Sequence, residues 1–316
     1  MRVGLDTSPL VQTQAGTARY VRGLLAHNEY EQLSFHGHGR LATVVRDAWW
    51  YPHGLPHEAR GLDILHCPTF RGPSRSDVPV VVTVHDIAVL RHPGTFNHWT
   101  RRYSRLAVPR VARAARLVIA VSEFTRGEVV ELLGVSEERI RVIPNGVEPV
   151  FTADGPEAEG DYVLAVGTLE PRKNLAIAEQ AAQSLAVPLR VVGASGWGGV
   201  KVDGWVGRVS DEELAALYRG ARCLVYPSLY EGFGIPVLEA MACGTPVVTS
   251  RGGATEEVAG GAAVLVDPRD PAAVAAGIEE AMARRDELVP LGLARARGFT
   301  WERVAAETQA VYEEAA

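Results

Sequence analysis

The sequence is poor in cysteine, in lysine and in long apolar runs, and each shortage narrows the class of protein. Its three cysteines are odd in number and lack the spacing of a metal site, so a reduced, cytoplasmic setting is expected. No apolar stretch reaches the length that spans a bilayer. The first residues, MRVGLDTSPL, lack the pattern of a signal peptide. Neither half carries a GxGxxG dinucleotide fingerprint after its first strand.

Charge is present in ordinary amount but is unevenly distributed over the 316 residues. Residues 1–152 hold 18 arginines against 14 acidic residues, whereas the remainder holds 14 basic against 24 acidic residues. These net charges, +4 and −10, sum to the total of −6. All nine histidines lie in the first part, and only two lysines, Lys173 and Lys201, accompany 30 arginines. The length and the asymmetry together predict two domains with different roles.

Short apolar runs that suit β-strands alternate with helical stretches along the chain, which predicts parallel sheets covered by helices on both faces. The first half offers the runs RVGLD, DILHCP, VPVVVTVH, ARLVIAVS and RIRVIP; the second offers DYVLAVG, LRVVG, ARCLVYPS, TPVVTS and AAVLVD. The alternation breaks once, at residues 144–161, a stretch rich in proline, glycine and acidic residues. We therefore expect an α/β protein of two doubly wound domains, residues 1–150 and 151–300, joined by this linker.

Capping residues mark the starts of several of the predicted helices. Ser122 fits an N-cap, and Gly134 fits the end of the helix that follows it. Ser210 has capping-box spacing to Glu213, and Asp270 precedes a proline at a first helical position.

The stretch SLYEGFGIPVLE, residues 228–239, carries two carboxylates around a turn at the end of a predicted strand. Ligands of open α/β sheets bind beyond the carboxyl ends of strands. The backbone N–H groups of Gly234 and Ile235 are expected to face outward from a helix start, where phosphate binds well. Glu231 and Glu239 suit the hydroxyls of a sugar, because a carboxylate accepts two hydrogen bonds from a diol. The alternative is a helix start that is merely stabilised by nearby acids.

Two further strand ends carry candidate functional side chains. Arg172 and Lys173 follow the run YVLAVG and could neutralise a diphosphate, although a solvated turn is the plain alternative. His85 and Asp86 end the run VVVTV, and histidine is the usual proton or hydrogen-bond donor near neutral pH. Gly16 could let a backbone approach a ligand, but a plain turn explains it equally well.

Other features are weaker. The arginine-rich segment 98–116 suits either a solvated face or an anionic membrane surface, and Pro109 is expected to interrupt its helix. His36 and His38 have no matched third ligand in the sequence, so no metal site is expected.

Together these motifs resemble those of the family 4 retaining glycosyltransferases, which have the two-domain GT-B fold. Glu231 and Glu239 match the family's pair of glutamates separated by seven residues. The stretches EPRKN, GRVSDEELAALYRGAR, IPNGV and GGATEEVAGGAAVLVDP also occur in the family's order. The likeness covers nearly the whole chain, although the first half is short for the family. The resemblance implies two Rossmann-like domains facing across a cleft, an acceptor-side domain first and a donor-binding domain second. It also implies that a final helix, at about residues 301–316, crosses back onto the first domain.

The resemblance also implies roles for individual residues. Arg172 and Lys173 would bind the donor diphosphate, Glu239 the ribose, and Glu231 the sugar that is transferred. His85 would contact that sugar and assist catalysis. The remaining donor contacts would come from the first loop, the end of a strand and the helix start: Gly16, Val206, Gly207, Arg208, Gly234 and Ile235. The family's first loop often reads Gly-Gly, whereas this chain has Ala15-Gly16.

The function that follows is transfer of a hexose, mannose-like by resemblance, from a GDP- or UDP-linked sugar to an acceptor hydroxyl with retention of configuration. No cofactor or metal is expected, since protein cations take the place of a metal. The acceptor would be a sugar, a lipid-linked molecule or a small molecule, and no nucleic acid is involved. Peripheral contact with the inner face of a membrane would use residues 101–116. The alternatives are a GT-B-like sugar-nucleotide epimerase and a non-catalytic nucleotide-sugar-binding protein.

Overall fold

The computed structural model describes residues 1–12, 16–37, 39–96 and 98–316. Over these ranges the chain forms two compact units, one of residues 1–146 with 301–316 and the other of residues 147–300. Each unit is built on a six-stranded sheet whose paired strands all run parallel. The division falls just after Gly146, within the linker expected from the sequence. The acceptor and donor roles of the two units remain predictions.

The first sheet has the strand order β2-β1-β3-β4-β5-β6. Its strands are β1 (Val3–Asp6), β2 (Glu31–Leu33), β3 (Ile64–Cys67), β4 (Val80–Val84), β5 (Leu117–Ala120) and β6 (Ile140–Val142). Its helices are α1 (Ser8–Gln12), α2 (Gly16–His27), α3 (Gly39–Val45), α4 (Leu55–Glu58), α5 (Ala88–Arg91), α6 (His98–Ala114) and α7 (Glu123–Glu128), with π-helical turns at Arg46–Gly54 and Val129–Leu133. Strands β1, β3, β4 and β5 are wholly buried, as their apolar sequences predict.

The second sheet has the strand order β12-β11-β10-β7-β8-β9. Its strands are β7 (Val163–Val166), β8 (Leu189–Val192), β9 (Trp205–Gly207), β10 (Leu224–Tyr226), β11 (Val247–Ser250) and β12 (Val264–Val266). Its helices are α8 (Leu175–Ser184), α9 (Asp211–Gly220), α10 (Ile235–Ala242), α11 (Ala254–Ala259), α12 (Pro271–Ala283) and α13 (Arg285–Ala296), with a 3₁₀ turn at Pro171–Lys173.

The last helix, α14 (Trp301–Ala315), packs in the first unit rather than with the second unit that precedes it. The Trp301 ring lies directly over α2, where a Cβ added to Gly23 would fall 2.3 Å from it. Further along α14, the Tyr312 hydroxyl lies 2.6 Å from Nδ1 of the buried His66, and Glu314 pairs with Arg141 of β6. These contacts fix α14 along its whole length.

The capping residues act as the sequence predicts. Ser122 Oγ accepts a hydrogen bond from Thr125 N, and Gly134 ends that helical stretch in a left-handed conformation. Ser210 and Glu213 form a complete capping box, and Asp270 caps α12.

Three expectations differ from the structure. The short strands β2 and β9 are missing from the apolar runs, because both lie at sheet edges and are largely exposed, so neither needs an apolar run. For β9 the resemblance alone implied a strand that ends near residues 206–208. Pro109 does not interrupt α6, which continues through it to Ala114. A proline removes one backbone donor, and burial of Val108 and Val111 on either side stabilises the helix in spite of that loss.

Candidate active site

The order of the strands explains where polar side chains gather in the second unit. The chain order reverses between the neighbouring strands β7 and β10, which leaves a crevice beyond their carboxyl ends. The segment after β7 carries Arg172 and Lys173, and the segment after β10 carries Glu231. Side chains that are 58 residues or more apart in sequence therefore meet at one point of the sheet.

Glu231 is held by two cations and a tyrosine, and we call Arg172, Lys173, Tyr226 and Glu231 the Glu231 cluster. Arg172 Nη1 donates to Glu231 Oε2 at 3.0 Å, and Lys173 Nζ donates to Glu231 Oε1 at 2.6 Å. The Tyr226 hydroxyl donates to the same Oε1 at 2.9 Å and accepts from Lys173 Nζ at 2.9 Å. The two cationic side chains and the carboxylate are each little more than a tenth exposed.

The electrostatics of the Glu231 cluster keep its members charged. Burial alone would raise the pKa of Glu231, but Lys173 and Arg172 outweigh burial and lower that pKa to about 2. Burial likewise opposes the charge on Lys173, yet the Glu231 carboxylate holds the pKa of Lys173 above its ordinary value. At neutral pH the cluster therefore presents two fixed cations around one carboxylate.

Glu170 fixes Arg172 from the other side. Its carboxylate is buried and accepts from Arg172 Nη2 at 2.7 Å, while Arg172 Nη1 also donates to the Tyr230 carbonyl at 2.7 Å. Arg172 is thus held in one orientation by three acceptors. Sequence reasoning missed Glu170 and Tyr226; their positions at the ends of two strands, next to residues already singled out, were the available signal.

Helix α10 starts at the turn between the two glutamates. Gly234 caps it with a φ of +117°, a conformation that residues with a Cβ rarely adopt. The backbone N–H groups of this first turn lie at the positive end of the helix dipole, where anions bind favourably. Glu239 lies one turn further, buried, and accepts from the Tyr218 hydroxyl at 2.9 Å. Tyr218 is a third residue that sequence reasoning missed.

The other predicted donor residues of the second unit, Val206, Gly207 and Arg208, lie at the carboxyl end of β9. This is the edge of the sheet at which the Glu231 cluster also lies. Gly207 accepts a backbone hydrogen bond from Gly193, and Gly167, which follows β7, bonds in turn to the end of β8. Val206 and Arg208 are exposed. Their contact with a nucleobase remains a prediction.

The first unit holds His85 and Gly16. His85 follows β4 and donates through Nε2 to the Pro68 carbonyl at 3.1 Å, since a carbonyl can only accept. Burial lowers the pKa of His85 to about 4, so the ring is neutral at pH 7 with Nδ1 as its acceptor nitrogen. Gly16 is exposed and begins α2; Ala15 lies outside the described residues, as does His38 of the histidine pair.

A chain of buried hydrogen bonds lies behind His85. Its ring meets the Tyr20 ring edge-on at 4.8 Å, and the Tyr20 hydroxyl lies 3.1 Å from Thr83 Oγ1. Thr83 Oγ1 also lies 2.8 Å from Nε2 of His66, which contacts Tyr312 of α14. Burial lowers the pKa of His66 to about 3, so this ring is neutral too. The last helix therefore supports the packing around His85.

Metal-binding clusters and membrane-spanning helices are both absent from the described ranges. No group of three or more metal-binding side chains is found there. No helix in the same ranges has both the length and the apolar character that are needed to cross a bilayer.

Comparison with known proteins gives matches over both units. The family described as glycosyl transferases group 1 matches residues 151–292, and that described as glycosyltransferase family 4 matches residues 19–151. The O-antigen chain mannosyltransferase B of Escherichia coli is 31% identical over an alignment 381 positions long, covering 99% of this chain and 100% of that protein.

Solved structures show the same fold. Sucrose-phosphate synthase from Thermosynechococcus elongatus superimposes with a TM-score of 0.78 at 19% identity, covering 99% of this chain and 98% of that one. HepE from Anabaena, in complex with UDP and glucose, does so with a TM-score of 0.76 at 17% identity, covering 99% of each chain. Two parallel α/β units of this kind define the GT-B class of glycosyltransferases. The chain belongs to glycosyltransferase family 4 and is a glycosyltransferase.

Proposed function

We propose that this enzyme transfers a hexose from a nucleotide diphosphate sugar to an acceptor hydroxyl with retention of the anomeric configuration. The Glu231 cluster carries the proposal. It places two fixed cations within hydrogen-bond distance of one ionised carboxylate, beside the start of α10. This combination suits the two ends of such a donor, an anionic diphosphate and a sugar rich in hydroxyls.

In this proposal the cations stabilise the charge that develops on the departing diphosphate. Arg172 and Lys173 already lie side by side, and the N–H groups at the start of α10 add the positive end of a helix dipole, which also stabilises negative charge. Such prearranged groups lower the barrier because they need no reorganisation when the bond breaks. In the structure both cations contact Glu231. Donor binding is expected to draw them towards the phosphates and to free Glu231 for the sugar.

The acceptor hydroxyl attacks the same face of the sugar from which the diphosphate departs, and an oxygen of the departing phosphate takes the acceptor's proton. The C–O bond to phosphate breaks while the new glycosidic bond forms, so the charges balance without a protein nucleophile. With Arg172 and Lys173 opposite the diphosphate, we propose that the reaction needs no metal or other cofactor.

The two other predicted groups then have distinct tasks. Glu239, oriented by Tyr218, holds the ribose hydroxyls of the donor. His85 acts as an acceptor through Nδ1, since its Nε2–H is committed to Pro68. A neutral ring that accepts a hydrogen bond from a sugar hydroxyl orients the hexose while the histidine stays uncharged. Gly16 and residues 206–208 complete the donor contacts.

The names of similar proteins support the substrate class. The Escherichia coli relative is a mannosyltransferase of O-antigen chains, and HepE was solved with UDP and glucose. We propose a GDP- or UDP-linked hexose as donor and a glycan or lipid-linked acceptor at the cytoplasmic side of a membrane. Exposed arginines of residues 101–116, together with Leu106, which is 52% exposed, suit peripheral contact with anionic lipid.

One experiment tests the proposal. The enzyme is mixed with a panel of UDP- and GDP-linked hexoses, and melting temperature, release of nucleoside diphosphate and product anomer are measured. A true donor raises the melting temperature by mass action and yields a product with the donor's anomeric configuration. Conversion of the donor without an acceptor and without loss of the nucleotide would instead indicate an epimerase. Binding without any turnover would indicate a binding protein.

A further inference from the structure

The first unit contains a cavity of about 520 Å³ whose lining includes His85 but none of the other proposed donor contacts. It lies beyond the carboxyl ends of β1, β3 and β4, where the strand order reverses between β1 and β3. His85 lines it, so the cavity reaches the residue to which we assign the transferred sugar. The inference below rests on the proposed function, because it concerns the acceptor of that same reaction.

Two arginines line this cavity and share a single carboxylate. Arg46 is 5% exposed, and its Nε and Nη2 both lie 2.9 Å from Asp47 Oδ1. Arg71 Nε lies 3.8 Å from the same oxygen, too far for a hydrogen bond. Within the described part of the chain this buried Nε has no hydrogen-bond partner. Arg71 therefore has donor capacity that the protein itself leaves unused.

The charge balance inside the cavity is positive. Asp47 does not line it and instead lines a neighbouring cavity beside α6. Asp86 does line it, but Oδ1 of Asp86 accepts from Ala88 N at the start of α5. Asp6 lies outside the lining, and burial raises its pKa to about 6.

The rest of the wall is largely aromatic. Phe35, Phe70 and Phe96 contribute to it, and the Arg71 guanidinium lies 5.9 Å from the centre of the Phe70 ring. Such a wall accommodates the apolar face of a sugar ring, while a guanidinium fork binds an oxyanion through two parallel hydrogen bonds.

We propose that this cavity receives the acceptor, and that the acceptor carries a phosphate group bound by Arg71 with the support of Arg46. Arg71 binds the phosphate directly, and Arg46 holds Asp47 so that this carboxylate does not neutralise Arg71 fully. The phosphate then fixes which hydroxyl of the acceptor faces the reacting sugar.

The first test measures binding without catalysis. Calorimetry compares glucose 6-phosphate and mannose 6-phosphate with the unphosphorylated sugars, in saturating UDP or GDP so that Arg172 and Lys173 are already occupied. We expect the phosphorylated sugars to bind at least roughly tenfold more tightly, as charge-assisted hydrogen bonds imply. Equal binding of both forms, together with no Arg71-dependent binding of the lipid phosphate tested next, would overturn the proposal.

A second binding experiment tests whether the phosphate group is carried by a lipid. Phosphatidylcholine vesicles with and without undecaprenyl phosphate are tested for co-sedimentation with the enzyme. Binding that needs both undecaprenyl phosphate and Arg71 supports the proposal with a lipid-linked acceptor. If neither the soluble nor the lipid phosphate binds in an Arg71-dependent manner, the proposal is wrong.

Variants identify the residue. Arg71→Gln keeps an N–H donor near the position of Nε but removes the charge and the rest of the guanidinium, and it should weaken phosphate binding roughly tenfold to a hundredfold. Arg71→Lys should recover only part of it, because lysine lacks the fork. Arg75→Gln is the control, since Arg75 is exposed in the same loop and does not line the cavity. Circular dichroism of each variant verifies folding. Phosphate binding that is unchanged in Arg71→Gln would refute the assignment.

A failure of the proposed function looks different. In that case no nucleoside diphosphate is released from any donor, while Arg71-dependent phosphate binding persists. If donors are turned over but Arg71→Gln changes neither the binding nor the use of phosphorylated acceptors, the transferase stands and this inference fails.

Discussion

The two sheets carry different kinds of side chain at the carboxyl ends of their strands, although both have six parallel strands and one reversal of strand order. Beyond β7 and β10 the second unit places charged side chains that hold one another in fixed ion pairs. Beyond β1, β3 and β4 the first unit places a neutral histidine, aromatic rings and an arginine Nε that makes no hydrogen bond within the described residues. Prearranged charge suits a ligand whose charge is always the same, as in a diphosphate. The cavity of the first unit, with three phenylalanines and two arginines in its lining, suits a ligand that has both an apolar face and a charge.

Removing a cation from the second unit should have the largest effect. Lys173→Ala takes one cation from the expected site of the leaving diphosphate and should lower kcat by about 10²–10³-fold, as loss of a prearranged electrostatic group does. The measurement is release of nucleoside diphosphate under saturating donor. Lys201→Ala is the matched control, because the chain's other lysine is exposed and lies outside the Glu231 cluster. Equal activity of both variants would contradict the role of Lys173.

The two glutamates should separate turnover from binding. Glu231→Ala removes the sugar contact and should lower kcat, whereas Glu239→Ala should mainly raise the donor KM, each by roughly 10–100-fold. Glu239→Gln is the companion variant, since its amide oxygen can still accept from Tyr218 and so preserves the local packing. A comparable loss of donor affinity in both alanine variants, with turnover unchanged, would refute this division.

The packing of α14 on α2 should contribute to the free energy of unfolding, so a variant that disturbs it should be less stable. Gly23→Ala places a methyl group 2.3 Å from the Trp301 ring, so the helices must separate, at a cost of about 1–3 kcal/mol in the free energy of unfolding. Gly127→Ala is the control, because a Cβ there meets nothing within 4 Å and the residue lies in α7. Urea titration measures both. An unchanged midpoint in Gly23→Ala would show that α14 is not packed on α2.

Acidification should weaken the first unit before the second. His66 and His85 have pKa values lowered to about 3 and about 4, so between these values and the ordinary 6.5 the unfolded chain binds protons that the folded chain does not. Each such histidine lowers the free energy of unfolding by about 1.4 kcal/mol per pH unit as pH falls through this window. Asp6, with a raised pKa of about 6, offsets part of the loss because it gains its proton in the folded state.

Residues 147–300 contain no histidine, and the stability that ionised Glu231 contributes is lost only as pH falls from 4.5 towards 2. Hydrogen exchange, corrected for intrinsic rates, should therefore show earlier loss of protection in the first unit between about pH 7 and about pH 5. His66→Gln should flatten this dependence, and the exposed His57→Gln should leave it unchanged. Simultaneous loss in both units in every variant would contradict the assignment.

Much of the fold followed from the sequence because its buried strands are apolar throughout and its helices begin with capping side chains. The edge strands β2 and β9 could not be predicted in this way, since an edge strand needs no apolar run to be stable. The Glu231 and Arg172 positions were recognisable as motifs. Their partners Tyr226, Glu170 and Tyr218 were not, because each is an ordinary residue type whose role depends on which strand lies next to which.

The sequence by itself determined the alternation of strands and helices, the family motifs and the division of charge between the two halves. These are local properties, readable from neighbouring residues. Only the tertiary structure decided the order of the strands, and with it the meeting of Arg172 and Lys173 with Glu231 and the shared use of Asp47 by Arg46 and Arg71. It also decided that His85 is neutral, because burial lowers its pKa, and that Nε2 carries the proton, because the Pro68 carbonyl accepts from it.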